Sequence, residues 1–330
     1  MTPSNENDEE HDSIARPPTR GEVRLDRFFQ GATRVLAWLT VLVIVLVLAM
    51  LGRQAFPAIE KYGSGFIISR TWDAGKAQYG ILPEIFGTML SSTIGVTLGA
   101  VFGLMVAIFL TQEFIPRWLA GIFRNIVSLL AAIPSVVYGL WGIFVVIPAI
   151  RPACNWLHDH FGWIPPFSTP LLSVGLFPAT LVLAIMILPT VTAISRDAIA
   201  AVNPLLLEAS LGLGATRWET IFRVLLPTAK RGIYGSVVLG FGRAIGETMA
   251  LAMLVGSANV ISWSIFSPAN TLAALLANKF PEAASQIDVG VLMYAALVLL
   301  GLTLLVNIAG DLIMRREFRG TPALVEKGNA

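Results

Sequence analysis

Six stretches of about twenty consecutive, mostly apolar residues run through this chain, and they dictate the solvent in which it can fold. They cover residues 32–51, 88–111, 126–147, 172–194, 233–255 and 289–312, and the second, third and fourth hold no charged residue. Backbone groups inside hydrocarbon must bond within their own segment, so spans of this length are helices. The chain is therefore expected to be an all-α, polytopic membrane protein. Its composition agrees. Only 13% of the 330 residues are charged, against about 25% in soluble domains, and mean hydropathy is +0.72.

Lysine and arginine set the orientation, because they accumulate in cytoplasmic segments. With the N-terminus inside, sixteen of the 23 fall in inner segments and six in outer loops, and the last, Arg243, lies inside the fifth span. Both termini are then expected in the cytoplasm of a multi-pass protein of the cell (inner or plasma) membrane. Four regions follow. Residues 1–30 form a polar tail with an acidic opening from Glu6 to Asp12, expected to be disordered. Residues 31–85 hold the first span and an outer loop, 86–315 the main body, and 316–330 a second cytoplasmic tail. No cleavable leader is expected, since the first apolar run is long enough to remain as a span. Cys154 is alone and reads as an apolar filler near the membrane surface.

The inner loop 195–232 reads as helix, turn, helix. Asn203-Pro204 gives a cap followed by proline at the first helical position. Gly212 and Gly214 supply the turn, and Thr216 with Glu219 forms a capping box for a second helix, which Pro227 is expected to end. Ten apolar residues, from Leu205 through Trp218 and Phe222 to Leu225, are too many for a loop facing only water. An apolar surface of that kind marks a protein partner on the cytoplasmic side. In the outer loop 256–288 a short apolar piece, 271–277, reads as an interfacial or re-entrant helix.

Charge at the bilayer centre is expensive, about 2.5–3.5 kcal/mol per residue on insertion scales. Arg243 and Glu247 therefore need protein or water around them. On a continuous helix their spacing places them on one face, with Ser236, Gly240 and Ala244 along much the same stripe. Such a pair serves either as a structural ion pair to a neighbouring helix or as a stopping point for an anion, whose tetrahedral oxygens suit a guanidinium fork. Thr248, Tyr138 and Ser135 are further candidates for such a pathway. Pro134 and Pro178 are expected to kink the third and fourth spans, or to unwind them. His158-Asp159-His160 is a weak metal pattern, no metal site is expected, and no catalytic constellation or paired carboxylates occur in the spans. No phosphate-binding loop exists, as the lone Gly75-Lys76 is followed by Ala77, so nucleotide chemistry belongs to another chain.

Glu208-Ala209-Ser210, then Gly214, then Val224-Leu225-Leu226-Pro227 resembles the EAA loop of ATP-binding-cassette importer permeases. Ser210 stands where the family has a second alanine and Val224 where it has isoleucine. The runs 240–250, 133–142 and 266–268 resemble motifs of the PstC-type permease family of phosphate-specific ATP-binding-cassette importers, and the likeness extends over residues 86–318. The resemblance implies a MetI-like permease core and no enzyme activity. It implies a coupling role for Glu208, Ala209, Gly214 and Pro227, and translocation of inorganic phosphate past Arg243 and Glu247. The partners it implies are a second, PstA-like permease, a PstB-like ATPase dimer carrying ATP and Mg, and an external PstS-like phosphate-binding protein; this chain itself binds no cofactor. Membrane lipid surrounds it, and no nucleic-acid partner is expected. Glu247, as a hydrogen-bond acceptor, would favour phosphate, which keeps a proton, over sulfate; equally, selectivity can rest wholly in the binding protein. Molybdate or sulfate as cargo, an integral-membrane enzyme, and a channel or secondary transporter are the alternatives. The apolar loop and the missing catalytic cluster weigh against the last two.

Overall fold

The computed structural model describes residues 19–112 and 114–317. The acidic opening, Arg16, and the tail from residue 318 lie outside the described residues. The chain divides into two units at Arg53 and Gln54. Among described residues the first unit is one helix, α1 (Arg20–Tyr62), whose last part belongs to the second unit. Leu36, Trp38 and Leu42 on it are exposed, as expected of side chains that lipid covers.

Among its described residues the second unit is built of helices joined by turns and irregular segments, with one isolated bridge between Asp73 and Gln78. Its main helices are α2 (Leu82–Thr111), α3 (Arg117–Ala132), α4 (Ser135–Trp141), α5 (Ile147–Phe161), α6 (Leu176–Ala200), α7 (Pro204–Gly212), α8 (Arg217–Thr220), α9 (Leu226–Ile245), α10 (Met249–Leu254), α11 (Leu272–Lys279) and α12 (Gln286–Glu317). Among the described residues, five helical runs are long and apolar enough to cross a membrane: α1, α2, Ser135–Phe161, α6 and most of α12. Two of the six expected spans are drawn differently. The third is cut at Ile133-Pro134, so the crossing run begins at Ser135 rather than at residue 126. The fifth is broken at Gly246–Thr248 into α9, whose twenty residues carry Lys230, Arg231 and Arg243, and α10, which is only six residues long. Pro178 does not kink the fourth span, because α6 begins at Leu176 and the first turn tolerates proline.

Two further prolines sit in continuous helix without ending it. Trp141 leads into a π-helical turn, Gly142–Val146, two residues before Pro148; Thr220 leads into another, Ile221–Leu225, two residues before Pro227. A proline ring collides with the carbonyl four residues back and offers no N–H. Widening the turn just before it moves that carbonyl and removes the need for the missing bond. Pro227 therefore does not stop the second loop helix as its type alone predicts. Residues 217–245 run on as one rod.

The centre of the bundle is α2 against α6. Lipid is as apolar as leucine, so close backbone approach, not water exclusion, holds such helices together. Gly87, Ser91, Gly95, Gly99, Gly103 and Ala107 recur every fourth residue and are all buried. A Cβ on Gly95 would lie 2.9 Å from Leu183, and one on Gly99 would lie 3.0 Å from the Ala184 carbonyl. Thr192 adds a cross-helix bond, its hydroxyl donating to the Gly103 carbonyl at 3.1 Å. The same stripe carries α2 up to α11, a buried helix capped by Thr271, whose Oγ1 accepts from the Ala274 N–H at 3.2 Å. Glu84, expected in the outer loop, instead lies in the first turn of α2 and is fully buried, with Oε1 accepting from Asn270 Nδ2 at 3.3 Å.

A Cβ on Gly87 would fall 1.9 Å from the Asn270 carbonyl oxygen. Backbone there cannot swing aside as a side chain would, so Gly87→Ala is expected to cost about 3 kcal/mol, the upper end for overpacking. Gly301, in α12, has nothing within 4 Å of its would-be Cβ. Gly301→Ala should be neutral or slightly stabilising through helix propensity. Thermal unfolding of the two purified variants in detergent checks the contrast, and equal melting temperatures would contradict it.

Candidate functional site

At the break in the fifth span, α9 ends at Ile245, Gly246 caps it, and Thr248 precedes α10. The Glu247 N–H bonds only weakly back to the Ala244 carbonyl at 3.3 Å, and the Thr248 hydroxyl donates to the Gly246 carbonyl at 3.1 Å. The expected one-face pairing of Arg243 with Glu247 therefore fails: the helix that would align them stops between them. No ion pair within 4.0 Å joins them among the described residues. The expected stripe itself packs on α6. Ser236, Gly240 and Ala244 are buried, with Ser236 Oγ 2.9 Å from Ser195 Oγ and Gly240 close to Ile187 and Val191 of α6. Arg243, exposed at the end of the same stripe, also meets α6: its Nη1 donates to Thr190 Oγ1 at 3.2 Å. Thr190 is a partner that sequence reasoning missed; a threonine one residue past Pro189 in an apolar span was its only signal.

A second break lies beside the first. Pro134 starts α4, and the Tyr138 hydroxyl reaches back across the break to donate to the Leu130 carbonyl at 2.7 Å. Tyr138 thus satisfies a carbonyl at the end of α3 and fixes the bend. Next to it, Gly139 lies against Met253 and Ala250, so α4 packs on α10. Ser135 and Thr248 are half-buried, one at each break. Arg243, Tyr138 and Thr248 thus come together around adjoining broken helices, with Ser135 one turn before Tyr138. Interrupted helices at this depth offer backbone groups to a solute, and they are tolerated only where protein or a cavity surrounds them.

The loop between α6 and α9 forms the predicted hairpin. Asn203 Oδ1 accepts from the Leu205 N–H at 3.0 Å and starts α7. Gly214 turns the chain at φ +88°, a conformation that disfavours other residues. Thr216 and Glu219 complete the capping box: the Glu219 N–H donates to Thr216 Oγ1 at 3.3 Å, and Glu219 Oε2 accepts from the Thr216 N–H at 2.9 Å. Those hydrogen bonds from Thr216 hold the Glu219 carboxyl below the usual carboxylate range. Ser210, the departure from the family motif, has its Oγ 3.0 Å from Thr220 Oγ1 and so ties α7 to α8. The ten apolar residues do not all face outward. Ile221 and Leu225 are buried with Ile199 and Val202, whereas Leu205, Leu206, Leu211, Leu213, Trp218 and Phe222 are exposed. Leu213, at 90% exposure, crowns the turn. Glu208, Ala209 and Pro227 are exposed as well.

At the opposite end of the unit, a cavity of about 450 Å³ is lined by Trp72, Asp73, Tyr79, Lys279, Glu282 and Asp288. The Tyr79 hydroxyl donates to Asp288 Oδ1 there, and burial, reinforced by that carboxylate, pushes its phenol up. Among the described residues, no group of His, Cys, Asp or Glu is arranged to hold a metal; His160 stacks on Trp156 and His158 Nδ1 meets the Phe167 carbonyl.

Paired broken helices at membrane depth, an exposed arginine beside them, and a capped apolar hairpin at one end define a transport permease that is worked by another chain. The family described as "binding-protein-dependent transport system inner membrane component" matches residues 99–319. The chain is 38% identical to the "phosphate transport system permease protein PstC" of Haemophilus influenzae, over 88% of this chain and 92% of that one. It is 34% identical to the "probable phosphate transport system permease protein PstC" of Methanocaldococcus jannaschii, over 83% and 89%. A bacterial alginate ATP-binding-cassette transporter chain shares the fold with a TM-score of 0.60 at 16% identity, covering 90% of this chain and 99% of that one. The chain belongs to the binding-protein-dependent inner-membrane transport components and, within them, to the PstC permeases. It is a multi-pass inner-membrane transport subunit, not an ATPase.

Proposed function

We propose that this chain forms half of the translocation pathway of an importer for inorganic phosphate. The observation that carries the reading is Arg243, exposed at the broken fifth span and held by Thr190. A guanidinium in that place is too costly to keep for packing alone, and it suits a doubly charged tetrahedral anion. This chain's relatives, phosphate transport permeases in Haemophilus influenzae and Methanocaldococcus jannaschii, support phosphate over molybdate or sulfate. A PstA-like permease covers the exposed face of α9 and closes the pathway. A PstB-like ATPase dimer, holding ATP and Mg, receives the apolar hairpin, with Glu208, Ala209, Gly214 and Pro227 shaping it. A PstS-like protein delivers phosphate from outside, and both termini are cytoplasmic.

Glu247 sits one residue beyond the Gly246 cap with its carboxylate clear of Arg243, so it acts from across the break and not as a tethered partner. Radiolabelled uptake in cells with this chain deleted, then restored, tests the function. Loss and recovery of phosphate uptake, with molybdate and sulfate uptake unchanged, is the expected result. Unaltered phosphate uptake alongside a lost second oxyanion would overturn the assignment of cargo.

A further inference from the structure

At the hairpin end of the bundle a cavity of about 500 Å³ opens between the last turn of α2, the first half of α3, the end of α6 and the start of α7. Its charged lining is Arg124 and Arg196, with Gln112 beside them and an apolar floor that includes Val202, Leu207 and Leu225. A second cavity, of about 400 Å³, adjoins it and shares Arg124. Arg196 is paired on one side: its Nε and Nη2 donate to Asp197 Oδ1 at 3.1 and 2.7 Å. Arg124 is exposed and makes no hydrogen bond or ion pair among the described residues. Among the described residues, two guanidiniums and one carboxylate leave a net positive charge at a recess with greasy walls.

Arg124 lies in α3 at the hairpin end of the bundle, and no carboxylate among the described residues neutralises it. The geometry points to a site for a phosphate-type oxyanion, contributed either by the headgroup of an anionic phospholipid or by free inorganic phosphate. Forked donors on both arginines match such an anion. Gln112 can donate through its side-chain amide, whereas the Thr111 hydroxyl is already committed to the Ala107 and Ile108 carbonyls. The apolar floor accepts the glycerol and upper acyl carbons of a lipid, and it strengthens the electrostatics around a free ion by excluding water. Occupancy ties α3 to the end of α6, directly where Leu207 brings the coupling hairpin into the same cavity. The site is distinct from Arg243 and stands whatever the cargo of the importer is.

Cysteine accessibility tests it. The natural Cys154 is 2% exposed, so a maleimide reports mainly on a cysteine introduced at the exposed cavity residue Ala200. The purified assembly carrying Ala200→Cys is placed in nanodiscs of phosphatidylcholine, with and without millimolar inorganic phosphate. It is also placed in discs containing about one-third phosphatidylglycerol, without added phosphate. Labelling is expected to slow at least about threefold in one arm or both, and the arm identifies the source of the anion. The protection should vanish when Arg124→Gln and Arg196→Gln are combined. It should also weaken with Arg124→Gln alone, a change at an exposed side chain that leaves the fold intact. No slowing in either arm, or slowing that survives both arginine substitutions, would overturn the assignment.

Discussion

Replacing Arg243 by glutamine is expected to lower phosphate uptake about a hundredfold, a loss of about 2.7 kcal/mol, within the range for removing one partner of a desolvated charge contact. The chain itself should fold and assemble as before. Arg243 is exposed, and its side-chain hydrogen bond among the described residues is to Thr190. Ser236, Gly240 and Ala244, all buried, are the residues by which α9 packs into the bundle. Two further variants separate charge from shape. Arg243→Lys keeps the charge but loses the planar fork, and it should fall between wild type and Arg243→Gln. Thr190→Val removes the hydrogen bond that aims the guanidinium and should cost several-fold at most, since a neutral side-chain bond contributes about 1 kcal/mol. Initial rates of labelled phosphate uptake, normalised to chain in the membrane, provide the measurement. Near-normal uptake by Arg243→Gln would remove this residue from the pathway and return it to a structural role.

The parts of the fold that are legible in the sequence are those fixed by local chemistry. Hydropathy finds α2, α6 and α12 because hydrocarbon imposes a minimum length on each. Asn203-Pro204 and the Thr216–Glu219 box announce the hairpin because caps satisfy orphan backbone groups whatever the tertiary setting. What stays hidden depends on neighbours. The break at Gly246–Thr248 lies within an apolar stretch whose average hydropathy is that of a span, so i, i+4 geometry is assumed across a point where the helix stops. Gly246 and the capping tendency of Thr248 were the available signs. Glu84 is missed because a carboxylate reads as loop, yet Pro83 beside it marks the first turn of α2. Pro227 misleads in the other direction. A proline ends most helices, and only the π-turn before it shows that this one continues. The site follows the same rule: the sequence singles out Arg243 by its cost, but Thr190 and the committed hydroxyl of Tyr138 emerge only from helices brought together in space.

Leu213→Asp should separate the permease from its motor. Leu213 stands at the tip of the hairpin, 90% exposed, and in the isolated chain an aspartate there would be hydrated at little cost; surface changes of this kind stay within about 0.5 kcal/mol. The partner changes the account. If the exposed leucines with Trp218 and Phe222 fill an apolar groove, docking strips water from the carboxylate, and burial of an uncompensated charge costs several kcal/mol. Recovery of the ATPase with affinity-purified chain should fall at least about tenfold, about 1.4 kcal/mol, with phosphate uptake falling alongside it. Leu213→Met, similar in volume and polarity, should behave as wild type. The contrast with Leu225 shows why the site of substitution matters. Leu225 is equally apolar but 1% exposed inside the hairpin, so Leu225→Asp should prevent folding and say nothing about docking. An assembly that keeps its ATPase and its uptake with aspartate at 213 would mean that the tip of the hairpin is not where force enters, and the exposed ring face of Trp218, stacked on Phe222, would become the place to look.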